Sequence, residues 1–333
     1  MTKKIWIIIV NYRTAPLTVN CLHSIASQIK APFEIHALVI DNDSRDGSVE
    51  MLCSEIRGNH WENWVSVFPS GRNGGFAFGN NVGISKALNS SKESCYVMLL
   101  NPDTIVRNDA VLKLVEFMDE NSDVGIAGSL LENENGEPES SAHTAFSPLG
   151  ELEAAARLGI LTRLLHRYAV TPEIKSTPHA CDWVSGASFI VRREVFETVG
   201  LLDDKYFLYF EEADFCLRTR NAGWKIWFVP QSRVCHLEGA STGIKKTHQR
   251  RPKYWYESRR RYFVKHFGIS GLILCDIFWA VGRISLTLRR TLGLGSGGNR
   301  TDPKLYAFDL LWGDTKAMIT GQVFRIFRNQ RSP

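Results

Sequence analysis

Short apolar runs alternate with stretches of helical period through the first 130 residues. The runs at residues 5–10, 34–40, 65–68, 96–100 and 124–130 predict strands, and the segments near 16–28, 47–57, 76–90 and 108–120 predict helices between them. Strands apolar throughout and separated by helices imply an α/β domain with a mostly parallel sheet covered by helices on both faces. Further on, an amphipathic helix is expected around 149–167, a strand over 183–191, a helix opening at Glu211 and a strand over 225–229. Past residue 245 the pattern becomes that of basic, aromatic helix.

In a parallel sheet, ligands bind beyond the carboxyl ends of the strands, so the polar residues that close each apolar run are the candidates for chemistry. The first run closes in Asn11-Tyr12-Arg13, the second in Asp41-Asn42-Asp43-Ser44, the third leads to Gly71-Arg72-Asn73-Gly74-Gly75, and the fourth closes in Asn101-Pro102-Asp103. These four ends converge on one crevice. Asp41 can accept hydrogen bonds from a ribose hydroxyl or a base N–H, whereas Asp43, Ser44 and Asp46 read as turn or capping residues. The glycine-rich loop lets backbone N–H groups approach an anionic or nucleotide ligand ahead of a helix, and it is no Walker A because no Gly-Lys-Ser/Thr follows. Asp103 supplies a hard oxygen ligand of the kind Mg2+ or Mn2+ takes when ligand phosphates complete the shell.

Glu211-Glu212-Ala213-Asp214 follows the aromatic segment Tyr206-Phe207-Leu208-Tyr209-Phe210. Carboxylates against apolar surface have raised pKa values, which suits a general base that takes a hydroxyl proton. Asp214 is expected to pair with Arg218 four residues on. His236, after the third strand-like run of this half, can ligate a metal or a phosphate.

Composition sharpens the picture through charge. Residues 1–244 hold 22 Lys and Arg against 30 Asp and Glu, a net −8, whereas 245–333 hold 18 against 5, a net +13. A basic tail on an acidic body points to an anionic partner. Tyr254 to Phe267 interleave aromatics with cations, and residues 269–292 set a narrow stripe of Asp276, Arg283, Thr287 and Arg290 against a broad apolar face. That favours an anionic membrane surface over nucleic acid, with a helix lying in the bilayer interface. Three consecutive arginines fan over about 200° of a helix, so at most one or two of them, with Arg259 or Arg261 the candidates, can address one anionic ligand. The apolar run at 5–10 is too short for a signal peptide or a span. Seven scattered cysteines suggest neither a disulfide framework nor a zinc site, and a reducing cytosol fits.

The segments "IIIVNYRT", "VIDNDSRDGS", "GRNGGFAFGNNVG", "LLNPDT", the long stretch from Trp183 to Pro230, and "VCHLEGAST" occur in the order found in family 2 inverting glycosyltransferases of GT-A fold. The chain resembles the bacterial rhamnosyltransferase-like members that act on polyprenyl-diphosphate-linked sugars, over roughly residues 5–267. The resemblance implies a GT-A domain over 1–245, with a nucleotide-sugar half at 1–130 and an acceptor and catalytic half at 131–245, followed by a helical extension at 246–333. It implies a nucleotide-diphosphate sugar donor held by Asn11, Asp41, Arg72, Asn73 and Asp103, with Asp103 on Mg2+ or Mn2+ and His236 by the metal or the diphosphate. It places the base within the Glu211-Glu212 pair, Glu212 by position, and the acceptor, a polyprenyl-diphosphate-linked saccharide, near Trp183, Arg259 and Arg261. The family's metal motif is often Asp-x-Asp, and here its first position is Asn101; the base position often reads Glu-Asp, and here it reads Glu-Glu. A peripheral enzyme on the cytoplasmic face of the membrane is expected. The rival readings are a nucleotidyltransferase, which would need a lysine or a second metal carboxylate near Asp103, and a non-catalytic binding module.

Overall fold

The computed structural model describes residues 3–28, 32–90, 95–237, 249–294 and 302–328. In chain order they form β1 (Lys4–Asn11), α1 (Ala15–Ala26), β2 (Glu34–Asp41), α2 (Ser48–Gly58), β3 (Val65–Pro69), α3 (Gly75–Ser90), β4 (Cys95–Leu100), β5 (Thr104–Val106), α4 (Ala110–Glu120), β6 (Val124–Glu132), β7 (Pro138–Glu139) and β8 (Ala142–His143). There follow α5 (Pro148–Ala156), α6 (Gly159–Leu164), β9 (His179–Ala180), β10 (Trp183–Val184), β11 (Ser188–Arg192), α7 (Arg193–Val199), α8 (Glu211–Asn221), β12 (Lys225–His236), α9 (Lys253–Thr291), α10 (Tyr306–Ile319) and α11 (Gln322–Arg328). They fall into two compact units, residues 1–143, 173–207 and 211–243 in the first, and residues 144–172, 208–210 and 244–333 in the second.

The first unit is built on one sheet of order β3-β2-β1-β4-β11-β6-β12-β5, with β7 added at β6 and β9 at β12. Strands β3, β2, β1 and β4 run parallel, as do β6 and β12, while β11 inserts antiparallel between β4 and β6. Alternation along β1 sends Ile5, Ile7 and Ile9 into the core that contains residues of α1, α2 and α4, and Ile8 into the core beneath α3. Burying both faces of β1 explains its unbroken apolar run.

Two sequence expectations change here for local reasons. The strand expected over 183–191 is interrupted at Ser185-Gly186-Ala187, so that β10 pairs with β8 while β11 joins the main sheet. The strand expected over 225–229 runs on to His236, because a register shift between Val229 and Arg233 absorbs Pro230, which has no N–H to give the ladder. That bulge carries His236 to the sheet end.

In the second unit the single helix expected over 149–167 is two helices, since Arg157 takes the left-handed conformation (φ 47°) and ends α5. The sequence reading assigns only the chain from 246 on to this unit, but residues 144–172 belong to it as well, with Gly282 of α9 set so close to α5 that a Cβ there would lie 2.8 Å from Ala155 Cβ. Helix α9 bends at Gly268 (φ 72°). Past the bend, Leu272, Cys275, Asp276, Trp279, Gly282 and Leu286 are buried, whereas Ile273, Ile277, Val281, Ile284 and Leu288 are 40–60% exposed. Among the described residues, α9 alone is long and apolar enough to cross a membrane by length and composition, with a mean hydropathy of 1.6 over 18 residues, a third of them buried.

The centre of this unit is ionic. Arg259, 1% exposed, donates from Nη1 to Asp276 Oδ1 (3.0 Å) and Asp314 Oδ2 (3.2 Å) and from Nη2 to Glu151 Oε2 (3.1 Å), and Arg260 Nε donates to Asp314 Oδ1 at 2.6 Å. The expectation that Arg259 grips a ligand is corrected by this: its charge is committed inside the unit. Replacing it with methionine would leave buried Asp276 and half-buried Glu151 without this cation and Asp314 with Arg260 alone, and we expect Arg259→Met to lower the unfolding free energy in urea by about 3–5 kcal/mol. A loss under about 1 kcal/mol would contradict the assignment.

Candidate active site

At the carboxyl end of β1 and β2 the side chains fix one another. Asn11 Nδ2 donates to Asp41 Oδ1 at 2.7 Å, and Asn11 Oδ1 accepts from Thr14 and Thr18 at 3.1 and 3.0 Å. Asp41 also accepts from the Ser44 hydroxyl (2.6 Å) and the Ser44 N–H (3.0 Å). Asp41 therefore sits in one orientation, beside a cavity of about 350 Å³ that is also lined by Ser44, Asp46, Pro69 and Gly71. Ser44, read from sequence as a turn residue, is fully buried and positions Asp41; a hydroxyl three residues beyond a strand-end Asp is the signal that could have marked it. Asp46 keeps its turn role, accepting from the Ser48 N–H at 3.1 Å.

The glycine-rich loop is tied to this end through Asn42, which the sequence reading left without a part. Asn42 Nδ2 donates to Asn73 Oδ1 (3.1 Å) and to the Gly75 carbonyl (3.0 Å), and its Oδ1 accepts from Ser70 (3.0 Å). Asn73 Oδ1 in turn accepts the Gly75 N–H at 3.1 Å. Gly75 is glycine for two reasons: its φ is +87°, and a Cβ would lie 2.0 Å from the Phe207 carbonyl, which accepts the Phe76 N–H at 2.8 Å. Arg72 is exposed, with its guanidinium 4.5 Å from the Phe78 ring centre.

At the end of β4, Asp103 is buried and its Oδ1 lies 3.3 Å from His236 Nε2, which is also 3.3 Å from Asn101 Nδ2. The bulge in β12 makes this meeting possible, since β12 pairs with β5 at His236 and Thr104. One hard carboxylate oxygen and one imidazole nitrogen are donors a divalent ion accepts, with room in its shell for ligand phosphates. Among the described residues no group of three His, Cys, Asp or Glu side chains comes together. Residues Glu238 to Thr242 of the motif that follows His236 lie outside the described residues.

The glutamate pair opens α8. The chain enters it through Tyr209 and Phe210, both at positive φ (69° and 70°), a conformation that costs non-glycine residues about 1–3 kcal/mol each. Glu211 is 2% exposed and Glu212 half-buried, and each has an Oε2 atom that is buried without a hydrogen-bond partner. Burial raises the Glu211 carboxyl well above the ordinary range, with the neighbouring Glu212 and Asp214 charges adding to it, and burial pushes Glu212 up to about 7. Glu212 lies over Gly186, where a Cβ would be 3.7 Å from its Cδ and Oε1. The next residue, Ala187, accepts the Asn101 N–H at 2.9 Å, so the glutamate pair and the Asn101-Pro102-Asp103 strand end are neighbours. Asp214 pairs with Arg218 at 2.9 Å, as the spacing predicts, and also accepts from Tyr206. Trp183 is half-buried and stacked on His143 at 4.0 Å between ring centres, and Arg261 is half-buried in the second unit.

A mixed α/β sheet with carboxylates at its strand ends is the architecture of GT-A glycosyltransferases, as expected. The mannosyltransferase PcManGT from Pyrobaculum calidifontis, solved in complex with GDP-Man and Mn2+, shares the fold with a TM-score of 0.54 at 14% identity, over 99% of this chain and 84% of that one. Residues 3–261 match the family described as "Glycosyltransferase like family 2", and the chain belongs to that family of enzymes. The N-acetylglucosaminyl-diphospho-decaprenol L-rhamnosyltransferase of Mycobacterium tuberculosis is 24% identical over 254 residues, 73% of this chain and 79% of that protein. The dTDP-rhamnosyl transferase RfbF of Shigella flexneri is 25% identical over 239 residues, 72% of this chain and 71% of that one.

The raised Glu212 carboxyl carries a consequence for stability. Because its folded pKa of about 7 exceeds the ordinary 4.5, the folded state holds the proton more tightly, and stability falls as pH rises between those values. We expect Glu212→Gln to flatten that dependence and to melt at a higher temperature than the parent at pH 8. Equal slopes from pH 5 to 8 by calorimetry would contradict the burial of this carboxylate.

Proposed function

We propose that this glycosyltransferase moves L-rhamnose from dTDP-rhamnose to a polyprenyl-diphosphate-linked saccharide during cell-surface polysaccharide assembly, by a single inverting displacement. The observation that carries the reading is the adjacency of the Glu212 carboxylate to the strand end bearing Asp103 and His236, linked through Gly186 and Ala187. The named activities of the two rhamnosyltransferase relatives support the donor and the lipid-linked acceptor.

In this reading Asp41, oriented by Asn11 and Ser44, accepts from the nucleoside, with Asn73 and Arg72 beside it. Asp103 and His236 hold a Mg2+ or Mn2+ ion, which when bound offsets charge on the departing nucleoside diphosphate. Glu212 takes the proton of the acceptor hydroxyl at Oε2, the hydroxyl oxygen bonds to the anomeric carbon, and the bond from that carbon to the diphosphate breaks. Glu211, more deeply buried, keeps its own proton and favours ionisation of only one member of the pair. Trp183 offers an apolar face to the acceptor. The exposed apolar stripe of α9 and the net +13 beyond residue 244 support a peripheral enzyme on an anionic, cytoplasmic membrane face.

The test is a thermal-shift panel of nucleotide sugars with and without Mn2+. A preferred donor at a hundred times its dissociation constant stabilises by about 2.7 kcal/mol. We expect dTDP-rhamnose to give the largest shift, and Asp103→Ala to keep its own melting temperature near the parent's while losing the Mn2+-dependent part. An Asp103→Ala protein that retains that part would overturn the reading.

A further inference from the structure

The C-terminal unit holds a second cavity that the transfer chemistry above does not use. It encloses about 560 Å³ between the first two turns of α9, the preceding Arg250 and Arg251, and the length of α10. Five cations line it, Arg250, Arg251, Lys253, Arg260 and Lys316, against Glu257 and Asp309. Three of the cations are committed to carboxylates: Arg250 to Asp309, Lys253 to Glu257 and Arg260 to Asp314. Arg251 and Lys316 are the two lining cations without such a partner among the described residues. The guanidinium of Arg251 is held over the Trp255 ring at 4.4 Å and faces Tyr306 at 5.5 Å, and its Nε is buried with no acceptor. Tyr256, 5% exposed, has a hydroxyl that also lacks any partner.

A buried hydroxyl, a buried guanidinium N–H and an exposed ammonium, carried by three residues that line one cavity, are donors in search of an anion, because a buried polar group left unsatisfied costs about 1–3 kcal/mol. The cavity is amphiphilic: Phe308 and Trp312, both more than half exposed, line it with parallel rings 6.4 Å apart. A ligand that answers both features has a phosphate head and a hydrocarbon chain. Charge selects among such ligands, since two uncommitted cations match the two charges of an esterified diphosphate, whereas a phosphodiester headgroup carries one.

We propose that this cavity binds the diphosphate of the polyprenyl-linked acceptor through Arg251, Lys316 and the Tyr256 hydroxyl, with the first isoprene units lying over Phe308 and Trp312. The inference rests on the lipid-linked acceptor of the proposed function and adds the site that would recognise it. Arg259, one of the two arginines sequence reasoning chose for this task, is enclosed by carboxylates, while Tyr256 one turn earlier, Arg251 before the start of α9 and Lys316 on α10 carry the open donors.

The experiment is flotation of the full-length protein with phosphatidylcholine vesicles that carry either a polyprenyl diphosphate or phosphatidylglycerol at matched surface charge. We expect at least about ten-fold tighter binding to the diphosphate vesicles, roughly the value of one charge-assisted hydrogen bond. Lys316→Glu, an exposed position, should remove most of that preference, and Tyr256→Phe, which takes away only the unpartnered hydroxyl, should reduce it by about three-fold or more. Lys304→Glu, the same charge change on an exposed residue outside the cavity, should leave the preference within about two-fold. Equal binding to both vesicles, or cavity variants that keep the parent's preference, would overturn the proposal. The donor-induced thermal shift, measured on the same samples, distinguishes the two failures: if it persists, the cavity assignment alone falls, and if it is absent, the transferase reading beneath it falls too.

Discussion

Glu211 and Glu212 follow one another at the first turn of α8, where burial raises both carboxyl groups and the Glu212 charge raises Glu211 further. In water two adjacent glutamates would titrate near the ordinary 4.5 and both be ionised at neutral pH. Here the pair retains a proton into the neutral range, and Glu212, the more accessible of the two, becomes a base whose affinity for protons matches its task. The helix N-terminus favours negative charge, so the macrodipole works against burial at this turn, and the unpartnered Oε2 atoms indicate that burial prevails. The chain reaches this arrangement through two successive residues at positive φ, a strained entry that the surrounding packing must hold in place.

The remainder of the candidate site depends on the sheet delivering its partners to that glutamate. Parallel pairing of β1, β2 and β4 puts Asn11, Asp41 and Asn101 at the same end, and the antiparallel insertion of β11 brings Gly186 and Ala187 to Asn101. The bulge at Pro230 then lets one long strand carry His236 to Asp103. A short carboxylate at the end of a rigid strand gives positional precision, and the network of Asn11, Ser44 and Asn42 removes the remaining rotamer freedom from Asp41 and the glycine-rich loop.

Strands β1 and β4 were legible because each is buried on both faces and so reads as an unbroken apolar run, edge strand β3 was legible through its β-branched and aromatic residues, and the site residues were legible because the runs close abruptly in polar residues. What stayed hidden depends on partners distant in sequence. Arg259 looked like a ligand-binding cation, and only folding brings Glu151, Asp276 and Asp314 to it. Ser44 looked like any turn serine until its burial against Asp41 was seen. The break at Arg157 was invisible because an arginine in the left-handed region carries no sequence signal, unlike glycine. The face of α9 was legible in kind, apolar with a charged stripe, but not in which side meets the core: Leu272 and Trp279 turn inward, and Asp276 meets Arg259 rather than solvent.

The central claim is that a buried carboxylate pair sets the ionisation of the base. The most direct measurement is the pH dependence of kcat/KM for sugar transfer, compared between the parent and Glu211→Gln. The account predicts an acidic limb near pH 7 for the parent and a limb in the variant that stays well above 4.5, because burial of Glu212 persists and Glu211 is already uncharged where Glu212 titrates. A limb at the ordinary carboxylate value in the parent, or one that falls to that value in the variant, would contradict it.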